Sequence, residues 1–302
     1  MKKYCCLLLA LLISISCFGC KSSRTEPSPV QISYETAVVS YLGPEGTYTQ
    51  EACGTFFEKQ GSYIPYKTVG EAVEALVCGD SNYAVIPQEN TIGGAVIDYV
   101  DTLLAQTAVS VVGEVELPIN QNLLVLPGAD LDGIKTVYSH SQGITQGKVW
   151  LKENLPNAKV VEVSSTAEGA KMVAEEEDFS CAAIASAACA DVYGLDILAA
   201  GIQNNQSNKT RFYVLSLDEP ATAQAERLAF VAKGDAGELT ALMAEMKNLN
   251  MELITLHDRP LKTELGQYYY LIECAGSSYQ NYEKLVKNVS FDFRYLGSFD
   301  VQ

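Results

Sequence analysis

Positive charge is scarce in this chain. Asp and Glu number 37 against 21 Lys and Arg, a formal net charge of -16, and the longest basic cluster is Lys2-Lys3. Without a basic stripe no nucleic-acid partner is expected. Histidine is rarer still: only His140 and His257 occur, neither with a neighbouring ligand pattern, so no metal site is expected. Of nine cysteines, five lie beyond residue 20 (Cys53, Cys78, Cys181, Cys189, Cys274), an odd number without CxxC spacing, which excludes a disulfide framework. Cys181 and Cys189 stand among small apolar residues and read as buried thiols. A GxxxxGK[ST] phosphate loop is missing. What remains is ordinary globular composition, 48% apolar and 19% charged over 302 residues, enough for two domains.

The N-terminus is a separate object. Lys2-Lys3 precede a short apolar run, Leu7 to Ile15, well below the roughly 20 residues of a membrane span. Residues 1–20 read as a lipoprotein-type secretory signal, with Cys20, ahead of the polar Lys21-Ser22-Ser23-Arg24, favoured over Cys17 for lipidation. A simple cleaved signal is the alternative. Residues 21–36, with Pro27 and Pro29, read as a polar tether. An exported protein, lipid-anchored to the outer face of a bacterial membrane and touching it only through that anchor, is the expectation.

From residue 37 onward strands alternate with helices, which predicts an α/β fold with a mostly parallel sheet. Strands are expected at Ala37 to Leu42, Tyr83 to Pro87, much of Val109 to Leu126, Thr136 to Tyr138, Lys159 to Val163, Ala182 to Ile184 and Phe212 to Leu217. Helices are expected over Thr49 to Gln60, Thr68 to Cys78, Asp98 to Ala105, Gly143 to Leu155, Ser165 to Glu177 and Ser186 to Tyr193. After a polar hinge, residues 226–302 read β-α-β-β-α-β, a ferredoxin-like unit.

Four polar loops at strand ends could carry chemistry. Gly43-Pro44-Glu45-Gly46-Thr47-Tyr48-Thr49 offers hydroxyls and free N–H groups at a helix start, suited to an anion, although a plain capped turn explains it as well. Glu89-Asn90-Thr91 directly follows a buried strand. Ser139-His140-Ser141-Gln142 is followed by Gln146, four residues on, which places both amides on one helix face. Asn208-Lys209-Thr210-Arg211-Phe212 precedes the last strand of the large unit and brings a carboxylate-binding fork into an acidic protein. Ser139 and His140 are strand neighbours pointing to opposite faces, so they form no nucleophile–base pair. A pocket of amides, hydroxyls, one carboxylate and one arginine suits a small carboxylic acid and polarisation chemistry.

Taken in order, these segments resemble the prephenate dehydratase family over about Val38 to Leu217. Tyr41 to Tyr48 is similar to its opening motif, Pro87-Gln88-Glu89-Asn90-Thr91 to Pro-Ile-Glu-Asn-Ser/Thr, Ser139 to Gln142 to Ser-His-Pro-Gln, and Asn208 to Phe212 to the Asn-x-Thr-Arg-Phe signature. Residues 226–302 resemble an ACT regulatory domain. The resemblance implies a two-lobed catalytic unit (37–217), related in plan to periplasmic binding proteins, and the cofactor-free conversion of prephenate to phenylpyruvate. It further implies Thr210 as donor to the departing hydroxyl and Arg211 beside a substrate carboxylate, with Glu89 and Asn90 in the catalytic set. Thr47, Thr91, Ser139, Gln142, Gln146 and Asn208 line or support the pocket, and Phe212 packs beneath Thr210. Gly237, Leu239, Arg259 and Pro260 mark a weakened phenylalanine-effector site, Glu238 and His257-Asp258 departing from the family pattern. Gln121 stands where the family has His, Ser141 where it has Pro and Asn204 where it has Asp. A homodimer is the family habit. Two other functions stay open: arogenate dehydration, and an exported non-catalytic lipoprotein that binds an aromatic or small carboxylate.

Overall fold

The structure, a computed structural model, describes residues 34–302. The expected signal, Cys20 and nearly all of the tether lie outside the described residues.

The chain opens with β1 (Val38–Leu42), α1 (Tyr48–Phe56), β2 (Ser62–Tyr66), α2 (Val69–Cys78), β3 (Tyr83–Asn90), the two-residue β4 (Gly94–Ala95), α3 (Ile97–Ala105) and β5 (Ser110–Pro118). Capping sets the helix limits. Thr68 accepts the Glu71 N–H at 3.1 Å to start α2, and Gly79, at φ 82°, ends it in the left-handed turn that glycine adopts freely. α1 stops at Phe56, short of the expected Gln60, because Glu58 and Lys59 turn to positive φ. β2 escaped the sequence reading: it contains Pro65, a residue tolerated at a sheet edge, and it is an edge strand.

The chain then crosses to a second sheet, through β6 (Asn122–Val125), β7 (Thr136–Ser139), α4 (Ser141–Asn154), β8 (Lys159–Glu162), α5 (Thr166–Glu176), β9 (Cys181–Ala185), α6 (Ala187–Tyr193) and β10 (Asp196–Ala199). It returns to the first sheet as β11 (Lys209–Ser216). The first sheet has the order β2-β1-β3-β11-β5, with β4 on β3, and the second β10-β6-β9-β7-β8. Both are mixed, which corrects the mostly parallel expectation. β11 runs antiparallel to β3 and β5, and β6 antiparallel to β9 and β10. β6 and β11 each follow a crossing between lobes, where the chain enters a sheet without a helical crossover.

The two crossing segments lie side by side. Ile119 donates to the Asn208 carbonyl at 2.8 Å and Ile202 to the Gln121 carbonyl at 2.8 Å. Val109 to Leu126 is therefore two strands broken at Ile119 to Gln121, rather than one long strand. The result is two α/β lobes joined by a double strap.

The C-terminal unit follows as β12 (Arg227–Asp235), α7 (Leu239–Asn248), β13 (Glu252–Pro260), β14 (Gln267–Ala275), α8 (Tyr279–Asn288) and β15 (Asp292–Phe299). Its antiparallel sheet has the order β13-β14-β12-β15, the ferredoxin-like arrangement. One face covers α7 and α8 through Phe230, Leu242, Met246, Ile272 and Leu285. The other meets the first lobe: Ala229, Val231, Leu271 and Phe299 share a core with Tyr99, Leu103, Ile86 and Tyr213. α1 packs on the opposite face of the first sheet, through Ala52, Cys53 and Phe56 against Val39, Val85, Val115 and Phe212.

Candidate active site

The signature segment is strand, not the loop expected before one: β11 begins at Lys209. It lies between β3 and β5, with Thr210 opposite Asn90 and Arg211 opposite Glu89. Strand alternation then sends Thr210 and Phe212 to one face and Arg211 to the other.

On the first face an amide organises the site. Asn90 Nδ2 lies 2.8 Å from Asn208 Oδ1, 2.9 Å from Thr210 Oγ1 and 3.1 Å from the Lys209 carbonyl. Asn90 Oδ1 accepts from the N–H groups of Ile92 and Gly93 at 3.0 and 2.9 Å, which shapes the turn after β3. The Thr91 hydroxyl donates to Asn208 Oδ1 at 3.2 Å and accepts from the Lys209 N–H at 3.0 Å. Asn208 is buried, and its Nδ2 has no hydrogen-bond partner among the described residues. Because Thr210 Oγ1 is the acceptor for Asn90, its own O–H is free to donate elsewhere. A hydroxyl that accepts a hydrogen bond is also a stronger donor.

That hydroxyl lines a cleft of about 490 Å³ between the lobes. Three helix N-termini converge on it: Thr47 and Tyr48 from α1, His140 and Gln142 from α4, and Ser165 and Thr166 from α5. Their unsatisfied N–H groups and dipoles favour anions. Among the described residues, no Asp, Glu, Lys or Arg lines the cleft. Gln142 and Gln146 both line the cleft. The strap residue Gln121 joins them, its Nε2 donating to Gln146 Oε1 at 3.0 Å while its buried Oε1 has no partner among the described residues. Thr47 caps α1 and donates to the Leu42 carbonyl at 3.2 Å. Tyr48 reaches the strap to donate to the Asn120 carbonyl at 2.5 Å, and burial, with the nearby Glu51 charge, pushes its phenol up.

The two lobes also touch beside the cleft. Gly46 has φ 83°, and its carbonyl accepts from the Ser186 hydroxyl at 2.9 Å and the Cys189 thiol at 3.0 Å. Cys181 and Cys189 are both buried free thiols, and burial raises each to about 11.

Several expected residues are placed elsewhere. Arg211, expected beside a substrate carboxylate, is absent from the cleft lining. Its Nε and Nη2 donate to the two Glu114 oxygens at 2.6 and 2.8 Å, its Nη1 lies 3.5 Å from Glu89, and it also bonds Glu273. Burial opposes this charge, but the Glu114 hydrogen bond and the Glu273 and Glu114 charges outweigh it and hold the guanidinium firmly protonated. Glu89 faces Arg211 rather than the cleft. Ser139 is fully buried and donates to the Ile184 carbonyl at 2.7 Å, a support for β7 beneath the cleft. Phe212 lines the cleft two residues from Thr210 on the same face and anchors the α1 core. In the C-terminal unit Arg259 forms a two-pronged pair with Asp101 of α3 at 2.5 and 2.9 Å, so its fork is already occupied. Pro260 ends β13, Leu239 packs into the unit's core and Gly237 lies in the turn before α7.

The sequence places a helix start at Ser165 but does not assign the α5 N-terminus to the site. Its signal was present: Ser165-Thr166-Ala167-Glu168 is a capping pattern, and Ser165 Oγ accepts the Glu168 N–H at 2.9 Å.

The chain is similar to known proteins. The family model described as "PDT: Prephenate dehydratase" matches residues 39–220. A bifunctional chorismate mutase/prephenate dehydratase of Neisseria gonorrhoeae is 35% identical over 240 residues, 79% of this chain and 66% of that protein. The chain thus spans about two thirds of that bifunctional relative. A prephenate dehydratase of Bacillus subtilis is 31% identical over 248 residues, 78% of this chain and 87% of the relative. Among solved structures, prephenate dehydratase from Arthrobacter aurescens in complex with L-Phe has a TM-score of 0.77 at 27% identity, covering 87% of this chain and 90% of that one. GqqA, described as a quorum-quenching acylase, has a TM-score of 0.78 at 22% identity over 88% of this chain and 98% of its own, a likeness of fold alone.

Proposed function

The chain belongs to the prephenate dehydratase family, a family of carbon–oxygen lyases, and from that premise we propose how its cleft converts prephenate to phenylpyruvate. The observation that carries the proposal is the Thr210 hydroxyl, which accepts from Asn90 at 2.9 Å while lining a cleft walled by three helix N-termini. Prephenate carries two carboxylates and a ring hydroxyl. The helix N-termini hold the carboxylates without a cationic side chain, leaving the leaving carboxylate unpaired by a strong counter-charge. Its C–C bond breaks and carbon dioxide departs. The electron pair enters the ring, the C–O bond breaks, and the departing oxygen takes a proton from the Thr210 hydroxyl, which is restored from solvent. Aromatisation drives the step, so no cofactor is required. Gln142, Gln146 and Gln121 supply neutral donors and acceptors around the ring and side chain.

The test is the appearance of phenylpyruvate absorbance from the purified protein and prephenate in buffer without cofactor. No product above the spontaneous rate overturns the reading. Arogenate, run in parallel, separates the two dehydratase activities, and binding without turnover would favour the non-catalytic alternative.

The βαββαβ unit is read as an ACT-type regulatory unit and as the pairing surface of a homodimer. The relative solved with L-Phe supports a phenylalanine effector, whereas Arg259, spent on Asp101, weakens it. Calorimetric titration with phenylalanine and sedimentation decide these two points. Export and lipidation at Cys20 are tested by the mass of the mature N-terminus.

A further inference from the structure

The face of β3 and β11 turned away from the cleft carries a buried ionic cluster. Arg211, with a side chain 12% exposed, meets Glu114 at 0% and Glu273 at 1%. Glu89 lies 3.5 Å from Arg211, and Arg227 lies 3.4 Å from Glu273. Glu273 belongs to β14, hence to the C-terminal sheet. Three residues of the first sheet hold it: Arg211, the Tyr213 hydroxyl and Gln88, whose Nε2 donates to Glu273 Oε2 at 2.9 Å. A β-bulge permits this grip. Phe212 pairs with Pro87 after Arg211 pairs with Glu89, so Gln88 is the extra residue, and both Gln88 and Glu89 address the same side.

Apolar packing would join the two units as stably, since a buried ion cluster contributes little net stability over a hydrophobic replacement. Directional ion pairs instead fix one relative placement. That placement reaches the cleft by a short route. Thr210 and Arg211 are neighbours on β11, Asn90 and Glu89 on β3, and the two pairs are adjacent rungs of one ladder. On the cleft side the rung is closed by the Asn90–Thr210 bond, on the other by Arg211 and Glu89.

We propose that Arg211 and Glu89 are positioning residues for Thr210 and Asn90, and that Glu273 transmits the placement of the C-terminal unit to them. The inference rests on Thr210 being the proton-donating hydroxyl. A misplacement of about 1 Å can cost roughly a hundredfold in rate, so a slight loosening of this cluster reads out as turnover rather than as binding.

The test compares wild type, Glu273→Gln and Glu89→Gln in the purified full-length protein. Glu273→Gln retains shape and a hydrogen-bonding amide but removes the charge facing Arg211. The expected result is a fall in kcat of about tenfold, with KM within about twofold and the folded fraction at assay temperature unchanged; tenfold corresponds to about 1.4 kcal/mol of barrier. Glu89→Gln, at the more exposed side of the cluster, should repeat the pattern in smaller measure and serves if Glu273→Gln does not fold. Unchanged kcat in the folded variants overturns the inference, as does a loss confined to KM. A wild-type protein without dehydratase activity overturns the functional reading instead, and the two failures are distinct.

Discussion

Asn90 Nδ2 donates to Thr210 Oγ1 at 2.9 Å across directly paired residues of β3 and β11. The contact fixes the rotamer of the hydroxyl and leaves its proton for a ligand in the cleft. Thr210→Ala should therefore lower kcat by about a hundred- to a thousandfold, the typical cost of removing one positioned donor, with little change in KM. Thr210→Ser, which keeps the hydroxyl but not the methyl contact, should retain most of the rate. Initial-rate measurements of phenylpyruvate formation check both.

Arg211 stands against three carboxylates. Arg211→Ala leaves Glu114 and Glu273 buried without a counter-charge and should destabilise the fold by about 3–5 kcal/mol. Urea denaturation of the two proteins measures it. A loss below about 1 kcal/mol would show that the cluster relaxes by protonation.

Glu114 predicts a pH dependence. Burial pushes its carboxyl up to about 7, against the pull of Arg211, and the Glu273 charge pushes the same way. Between the ordinary carboxylate value of 4.5 and about 7 the folded state binds more protons than the unfolded state, so stability from this group falls as pH rises through that window. Below 4.5 its contribution is complete. Thermal midpoints measured from pH 4.5 to 7.5 should decline more steeply in wild type than in Glu114→Gln. Parallel curves would remove Glu114 as the cause.

Gly46 joins the lobes. Its φ of 83° disfavours a side chain, and an added Cβ would come within 2.9 Å of Cys189 Sγ. Gly46→Ala should destabilise by about 1–2 kcal/mol from the backbone alone and weaken substrate binding by loosening the loop at the α1 N-terminus. A lower thermal midpoint together with a raised KM is the expected pair of readings.

The local grammar of this chain was legible. Capping residues and apolar spacing located the helices of both lobes, and the order β-α-β-β-α-β of residues 226–302 was read directly. Four polar segments at strand ends marked the site because packing did not require their residue types. Asn90, Thr210, Gln142 and Gln146 do meet in one cleft.

Edge strands β2 and β10 were missed: one contains Pro65 and the other starts at Asp196, and neither has a strong two-residue alternation. The mixed sheet order and the double strap depend on which distant strands pair, and no local pattern records that. The residue types present for chemistry, and most of the helices and strands that carry them, follow from local sequence, since caps and periodicity act over a few residues. Tertiary structure alone decided what each polar residue faces. Thr210 and Arg211 are neighbours in sequence, yet strand pairing turns one into the cleft and the other onto Glu273, and the bulge at Gln88 that completes this division exists only once β3 and β11 are paired.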